Sequence, residues 1–274
     1  MARSKPEISE CYRWSSMTSP PSSPARVGRP TLKSRGTTSL PTAAIAFYSF
    51  SDHSRFVLRY KNLPFETVWV EYPDIAPRMK EIGASPSRLP DGREMYTVPV
   101  LIDPNTGAIV TDSWVIAEYL DKTYPEKPIF PPGSQGLISA FDSAMRALVG
   151  DSLRFCLLRT SKVLNERSLE YFIPSKEVAF GEKIEKWSPE GPTRDAHWAI
   201  IEKSYYNSAN MWYGKVEGKW LMGNTFSYAD IIIAVHSLWF KRVYEEEEWK
   251  RIASLHDGRW EKLLVDVKKK CNLA

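Results

Sequence analysis

The chain has 274 residues, of which 43% are hydrophobic and 26% charged, with ten tryptophans; this is enough to bury globular cores and more length than one small core needs. The formal net charge is +4, yet residues 1–44 carry +5 and the remainder −1, so the folded body lacks the basic footprint of a nucleic-acid binder. No apolar run approaches the roughly 20 residues of a membrane span, and three scattered cysteines, Cys11, Cys156 and Cys271, without CxxC or Cys/His ligand spacing, fit a reducing compartment and no structural metal.

Residues 1–43 read as a disordered extension, because the first 44 positions hold nine serines and six prolines with no period that would bury a face. Its basic character resembles a transit peptide, but Glu7 and Glu10 fall early and no Arg-rich amphipathic helix follows. A cytoplasmic location is the expectation. From residue 44 to 126 the pattern is α/β. "AAIAFYSF" has strand character, "DHSRFVLRYKN" has helical spacing with Phe56, Val57 and Tyr60 on one side, and "LPFETVWVEY" is a second strand. Such a β-α-β unit crosses over right-handedly between parallel strands. "DIAPRMKEIG" predicts a short helix within an irregular loop. Strands over Val98–Ile102 and Ala108–Val110 flank the turn "DPNTG", and "SWVIAEYLDKTY" predicts a helix. This order is the thioredoxin-type arrangement.

Residues 127–135 fall in the proline-rich linker "PEKPIFPPGS", and residues 136–274 predict an all-helical second domain. "LISAFDSAMRALV", "RDAHWAIIEKSYYNSANMWY" and "SYADIIIAVHSLWFKRV" each carry three or more helical turns. Cys156 reads as a buried small hydrophobe. Trp198, Tyr205, Tyr206, Trp212 and Tyr213 read as core aromatics.

Three motifs bear on function. Pro99 opens a strand, where it removes a ladder donor, and the thioredoxin-type order predicts a cis Val98–Pro99 bond with the Val98 backbone turned outward. Asp112 and Ser113 stand at a helix N-terminus, whose amides and dipole favour a carboxylate while Asp112 accepts from an ammonium; a simple helix cap is the alternative. Ser227 and Asp230 form a capping box, with Phe226 and Ile231 as its staple, and serve folding.

Together these residues resemble the glutathione transferase superfamily over residues 43 to 270. The resemblance is closest to fungal-specific class A transferases of basidiomycetes, in "RYKNLPFETVWVEYPDI", "YTVPVLIDPNTGAIVTDS" and "GKWLMGNTFSYADIII". It implies a homodimer that binds glutathione through Val98, Pro99, Asp112 and Ser113, without metal, and acts on small hydrophobic or aromatic ligands between its domains, with no nucleic-acid or membrane partner. The class carries an activating serine in a loop before the first helix, and here that loop is shortened to "FYSFSDHS". Ser49, Ser51 and Tyr48 are the candidate thiol activators, in that order, beside the reading that no activator exists; His53 and Ser54 read as solvated or capping. The absence of cysteine at this point disfavours thiol-disulfide exchange. Two functions follow as expectations: a detoxifying transferase on hydrophobic electrophiles, or a weakly catalytic binding protein of the same fold.

Overall fold

The first strand of the computed structural model, β1 (Thr42–Ile45), is central in a four-stranded sheet of order β2-β1-β5-β6. It runs parallel to β2 (Phe65–Val68) and antiparallel to β5 (Val100–Asp103), which pairs antiparallel with β6 (Ala108–Thr111). The residues described are 42–45, 52–88, 92–150 and 152–273. β1 begins at Thr42, one residue before the run "AAIAFYSF" that the sequence marks as a strand. The remaining residues of the extension lie outside those described.

Helix α1 (Asp52–Tyr60) crosses between the two parallel strands, as the β-α-β pattern predicts. A short 3-10 turn (Tyr72–Asp74) leads into α2 (Ile75–Glu81). A small hairpin, β3 (Ser87–Arg88) with β4 (Glu94–Met95), lies in the stretch read from sequence as an irregular loop. β5 starts two residues later than predicted, so Val98 and Pro99 precede the ladder. Alternation along β5 divides its side chains between two cores: Leu101 joins the main cluster, while Val100 packs with Met79 of α2. Helix α3 (Ser113–Thr123) closes this part, burying Ile116, Ala117 and Leu120 completely.

Beyond the linker the described chain is helical. The elements are α4 (Gln135–Gly150), α5 (Leu153–Ser161), α6 (Glu166–Phe180) and a 3-10 turn (Ile184–Lys186), then α7 (Pro192–Ala199), α8 (Asn207–Tyr213), α9 (Tyr228–Val243), α10 (Glu246–Ala253) and α11 (Leu255–Lys270). The helix predicted over residues 194–213 is interrupted, because Ile200–Tyr206 between α7 and α8 is π-helical. The wider turn accompanies two successive buried tyrosines, Tyr205 and Tyr206. Trp198 and Tyr213 are buried and Trp212 packs against the core, in agreement with the core reading.

α9 is apolar all round, which marks a helix enclosed on every side; Ile231, Ile232, Ile233 and Ala234 have no exposure. Its start is the predicted capping box, with the Ser227 N–H donating to Asp230 Oδ2 at 3.0 Å. Asp230 also accepts from the Tyr213 hydroxyl at 2.9 Å and the Leu221 N–H at 2.8 Å. Burial nevertheless pushes its carboxyl up to about 6 against the lowering effect of these donors. Phe56, Val57 and Leu58 of α1 share one continuous core with α9. Among the described residues no helix is long and apolar enough to cross a membrane.

Candidate functional site

The Val98–Pro99 peptide bond is cis, as predicted. Pro99 is buried, and its carbonyl accepts from the Asp112 N–H at 3.3 Å. Two motifs thirteen residues apart are thereby joined at one edge of the sheet, because the β5–β6 hairpin pairs Val100 with Thr111 and returns the chain to its starting point. Asp112 holds φ of +82°, a region that a non-glycine residue enters only when its surroundings demand it. Its Oδ1 accepts from the N–H groups of Trp114 at 2.8 Å and Val115 at 3.2 Å. Asp112 is therefore the N-cap of α3, which was the structural alternative. The cap uses one oxygen; among the described residues Oδ2 has no hydrogen-bond partner. Ser113 is buried, and its carbonyl accepts from the Tyr228 hydroxyl at 3.3 Å. The same helix end thus offers a free carboxylate oxygen and a hydroxyl.

The start of α1 corrects the reading of its first turn. His53 and Ser54 are buried at 4% and 2% exposure, and are neither solvated nor simple caps. The sequence treated this helix as having one apolar face, but its first turn is covered by α9. The His53 ring lies 5.9 Å from His236 and 6.1 Å from Tyr228. Asp52, also buried, pairs with Arg55 at 3.1 Å and with Arg242 at the end of α9. Two guanidinium groups thus flank one carboxylate at the helix terminus whose dipole is positive. The Arg55 guanidinium lies 5.5 Å from the ring centre of Trp69, which is 55% exposed. Ser49, Ser51 and Tyr48, the candidate activators, lie outside the described residues.

The long-range members of this neighbourhood carry no local motif. Asp142 is buried on α4 and accepts from Arg146 Nε at 2.7 Å. His236 is buried with Nδ1 2.8 Å from the Tyr205 hydroxyl. Burial, then the nearby His53 and Arg146, hold this imidazole well below the usual histidine range. A helical period finds an inward-facing Asp142, but only the fold reveals what it faces. Cys156 is buried, and burial pushes its thiol up to about 11 despite its hydrogen-bond contacts with Tyr244 and Ser152. Among the described residues no group of three His, Cys, Asp or Glu side chains could hold a metal ion.

Residues 49–123 match the family model described as glutathione S-transferase, N-terminal domain, and residues 136–269 match glutathione S-transferase, C-terminal domain. The glutathione S-transferase-like protein ustS of Aspergillus flavus is 31% identical over 225 residues, covering 76% of this chain and 79% of that protein. The crystal structure of the glutathione S-transferase CsGST63524 of Ceriporiopsis subvermispora, in complex with glutathione, aligns with a TM-score of 0.77 and 37% identity, covering 84% of this chain and 98% of the other. Glutathione transferase GSTFuA2 from Phanerochaete chrysosporium aligns at 0.76 and 32%, covering 86% and 100%.

Proposed function

Because the chain belongs to the glutathione S-transferase family, we propose that it binds glutathione at the Val98, Pro99, Asp112 and Ser113 cluster and directs the thiolate onto hydrophobic electrophiles. The observation that carries this reading is the bond from the Asp112 N–H to the Pro99 carbonyl, which unites the two motifs. The γ-glutamyl carboxylate then meets the Ser113 hydroxyl and the positive end of α3, while the ammonium meets Asp112 Oδ2. The backbone of Val98, which has no backbone hydrogen bond among the described residues, pairs with the cysteinyl unit.

Thiol activation requires stabilisation of S⁻, and the N-terminus of α1 supplies it. A helix end and neighbouring cations lower a thiol pKa from near 8.5 into the range of about 3.5 to 7.5. Arg55 and Arg242 contribute positive charge there, offset in part by Asp52. A hydroxyl from Ser49, Ser51 or Tyr48 completes the activation by donating to the thiolate. Trp69 presents an exposed ring beside α1, which suits an aromatic second substrate. The working form is a homodimer in the cytoplasm, with detoxification of aromatic compounds as its role.

The test titrates the thiolate absorbance of bound glutathione against pH. A pKa below that of free glutathione supports the transferase; a bound thiol that titrates like the free one assigns the chain to ligand binding without efficient activation. In parallel, Asp112→Ala and Ser113→Ala weaken glutathione binding by about 1 to 3 kcal/mol each, through an unpaired partner. Unchanged affinity in both would reduce the pair to a helix cap.

A further inference from the structure

A cavity of about 300 Å³ opens between α8 and the start of α11, a volume within the range of small-ligand sites. None of its lining residues belongs to the Val98, Pro99, Asp112 and Ser113 cluster. One wall has an uncommon backbone: His256, Asp257 and Gly258 have φ of +53°, +58° and +76°, three successive left-handed residues, a region that His and Asp enter only with support. The His256 ring supplies that support. Its Nδ1 accepts from the Trp260 indole N–H at 2.9 Å, and its Nε2 lies 2.8 Å from Asn207 Oδ1 on α8. An indole only donates, so Nδ1 is unprotonated and the ring is neutral. The floor is apolar, because Leu263 and Tyr213 are buried and the Tyr213 hydroxyl is spent on Asp230.

The rim carries charge that the protein leaves unbalanced. Arg259 and Lys262 stand three residues apart on α11, hence on one face, and both are exposed where they line the cavity. The acid four residues beyond Lys262, the spacing that ordinarily supplies a counter-ion, is Asp266. Its Oδ2 is instead 2.9 Å from Lys219 Nζ. Glu261 is likewise taken, by Lys241 at 3.0 Å. Among the described residues neither Arg259 nor Lys262 has an ion pair or a side-chain hydrogen bond, and Asp257 pairs with neither. Two like charges one turn apart oppose each other, and a bound anion removes that opposition.

We propose that this cavity binds a small phosphoryl dianion, with Arg259 and Lys262 as its counter-ions and Tyr213 and Leu263 as the surface for an attached organic body. A tetrahedral dianion takes donors from several directions, which the arginine fork and the rotatable lysine ammonium supply together, whereas a planar carboxylate is satisfied by one fork. Lys219 neutralises the Asp266 carboxylate, so that this acid does not repel the entering charge. The site stands whether or not the glutathione reading does.

The test is calorimetric titration with inorganic pyrophosphate and with citrate at equal ionic strength. Wild type takes up pyrophosphate at one saturable site, about tenfold more tightly than citrate. Arg259→Gln and Lys262→Gln each weaken pyrophosphate about tenfold, the loss of one hydrogen bond to a charged group. Lys268→Gln, on the same helix outside the cavity, binds as wild type does. Both cavity variants replace exposed side chains, and pyrophosphate raises the thermal midpoint of wild type but hardly moves theirs. If the two variants bind as wild type does, or if Lys268→Gln loses as much as they do, the attraction is diffuse and the inference is overturned. Citrate binding as tightly as pyrophosphate overturns the phosphoryl assignment, and no saturable heat with either anion overturns the site.

Discussion

Lys61, at the end of α1, has a side chain only 1% exposed yet carries a charge. Its Nζ donates to the carbonyls of Tyr124, Glu126 and Lys127 at 2.9, 3.3 and 3.2 Å, and lies 2.6 Å from Asp121 Oδ1. Four oxygens from the end of α3 and the linker thus close on one ammonium. Removing one partner of a buried pair costs about 3 to 5 kcal/mol, because the remaining charge is left uncompensated. Lys61→Met should therefore lower stability by about that amount in urea unfolding, and Asp121→Asn by less, since three carbonyls still hold the ammonium. Equal, near-zero losses would show that solvent reaches the site. Sequence reading placed Lys61 in "RYKN" without a role, because a buried lysine cannot be distinguished from a solvated one until its acceptors, sixty and more residues away, are known. Asp112 and Ser113 were legible for the opposite reason: capping chemistry is local, and the hydroxyl and carboxylate identify a helix start from their own neighbours.

Among the elements, α9 concentrates the titrating groups whose environment is most altered. His236 is buried, with Nδ1 2.8 Å from the Tyr205 hydroxyl. With the folded value well below the usual 6.5, the unfolded chain binds more protons than the folded one in acid. Stability from this group is therefore complete above about pH 6.5 and is lost as pH falls toward the folded value, by up to about 1.4 kcal/mol per unit. Asp230 acts in the reverse sense. Its folded value of about 6 lies above that of an ordinary aspartate, so its contribution is complete near pH 4 and is lost as pH rises to about 6. Urea midpoints at pH 7.5 and 5.5 should fall more for wild type than for His236→Gln, and parallel falls in the two proteins would refute the assignment. The existence of α9 was plain in "SYADIIIAVHSLWF", from its box and its all-round apolarity. Its environment was not, since the same apolarity hides which neighbours the histidine meets. The π-helical segment escaped notice because a widened turn leaves the apolar spacing of residues 194–213 nearly helical.

At the scale of the whole molecule, the two matched regions leave residues 124–135 between them, and the domain division proposed from sequence is 44–126 and 136–274. Packing does not follow that division. Phe56, Val57 and Leu58 of α1 and Ile116, Ala117 and Leu120 of α3 belong to the same buried cluster as Ile231, Ile232 and Trp239 of α9. Polar links follow the same line. Asp52 pairs with Arg242, the Tyr228 hydroxyl reaches Ser113, and the Tyr228 N–H donates to the Ile129 carbonyl at 2.8 Å. A second seam joins the 3-10 turn before α2 to α6, where the Tyr72 N–H donates to Ser168 Oγ at 3.2 Å and Arg167 grips both oxygens of Asp74. A sheet whose helices bury their apolar faces on α9 has no separate core large enough to survive its loss. Urea unfolding should therefore be one transition, with far-ultraviolet circular dichroism and tryptophan fluorescence coinciding. Phe56→Ala, made on the sheet side of the seam, should destabilise by about 3 to 5 kcal/mol and move both probes together. Should it move only a first, partial transition and leave the helical signal at its original midpoint, the two parts would fold independently.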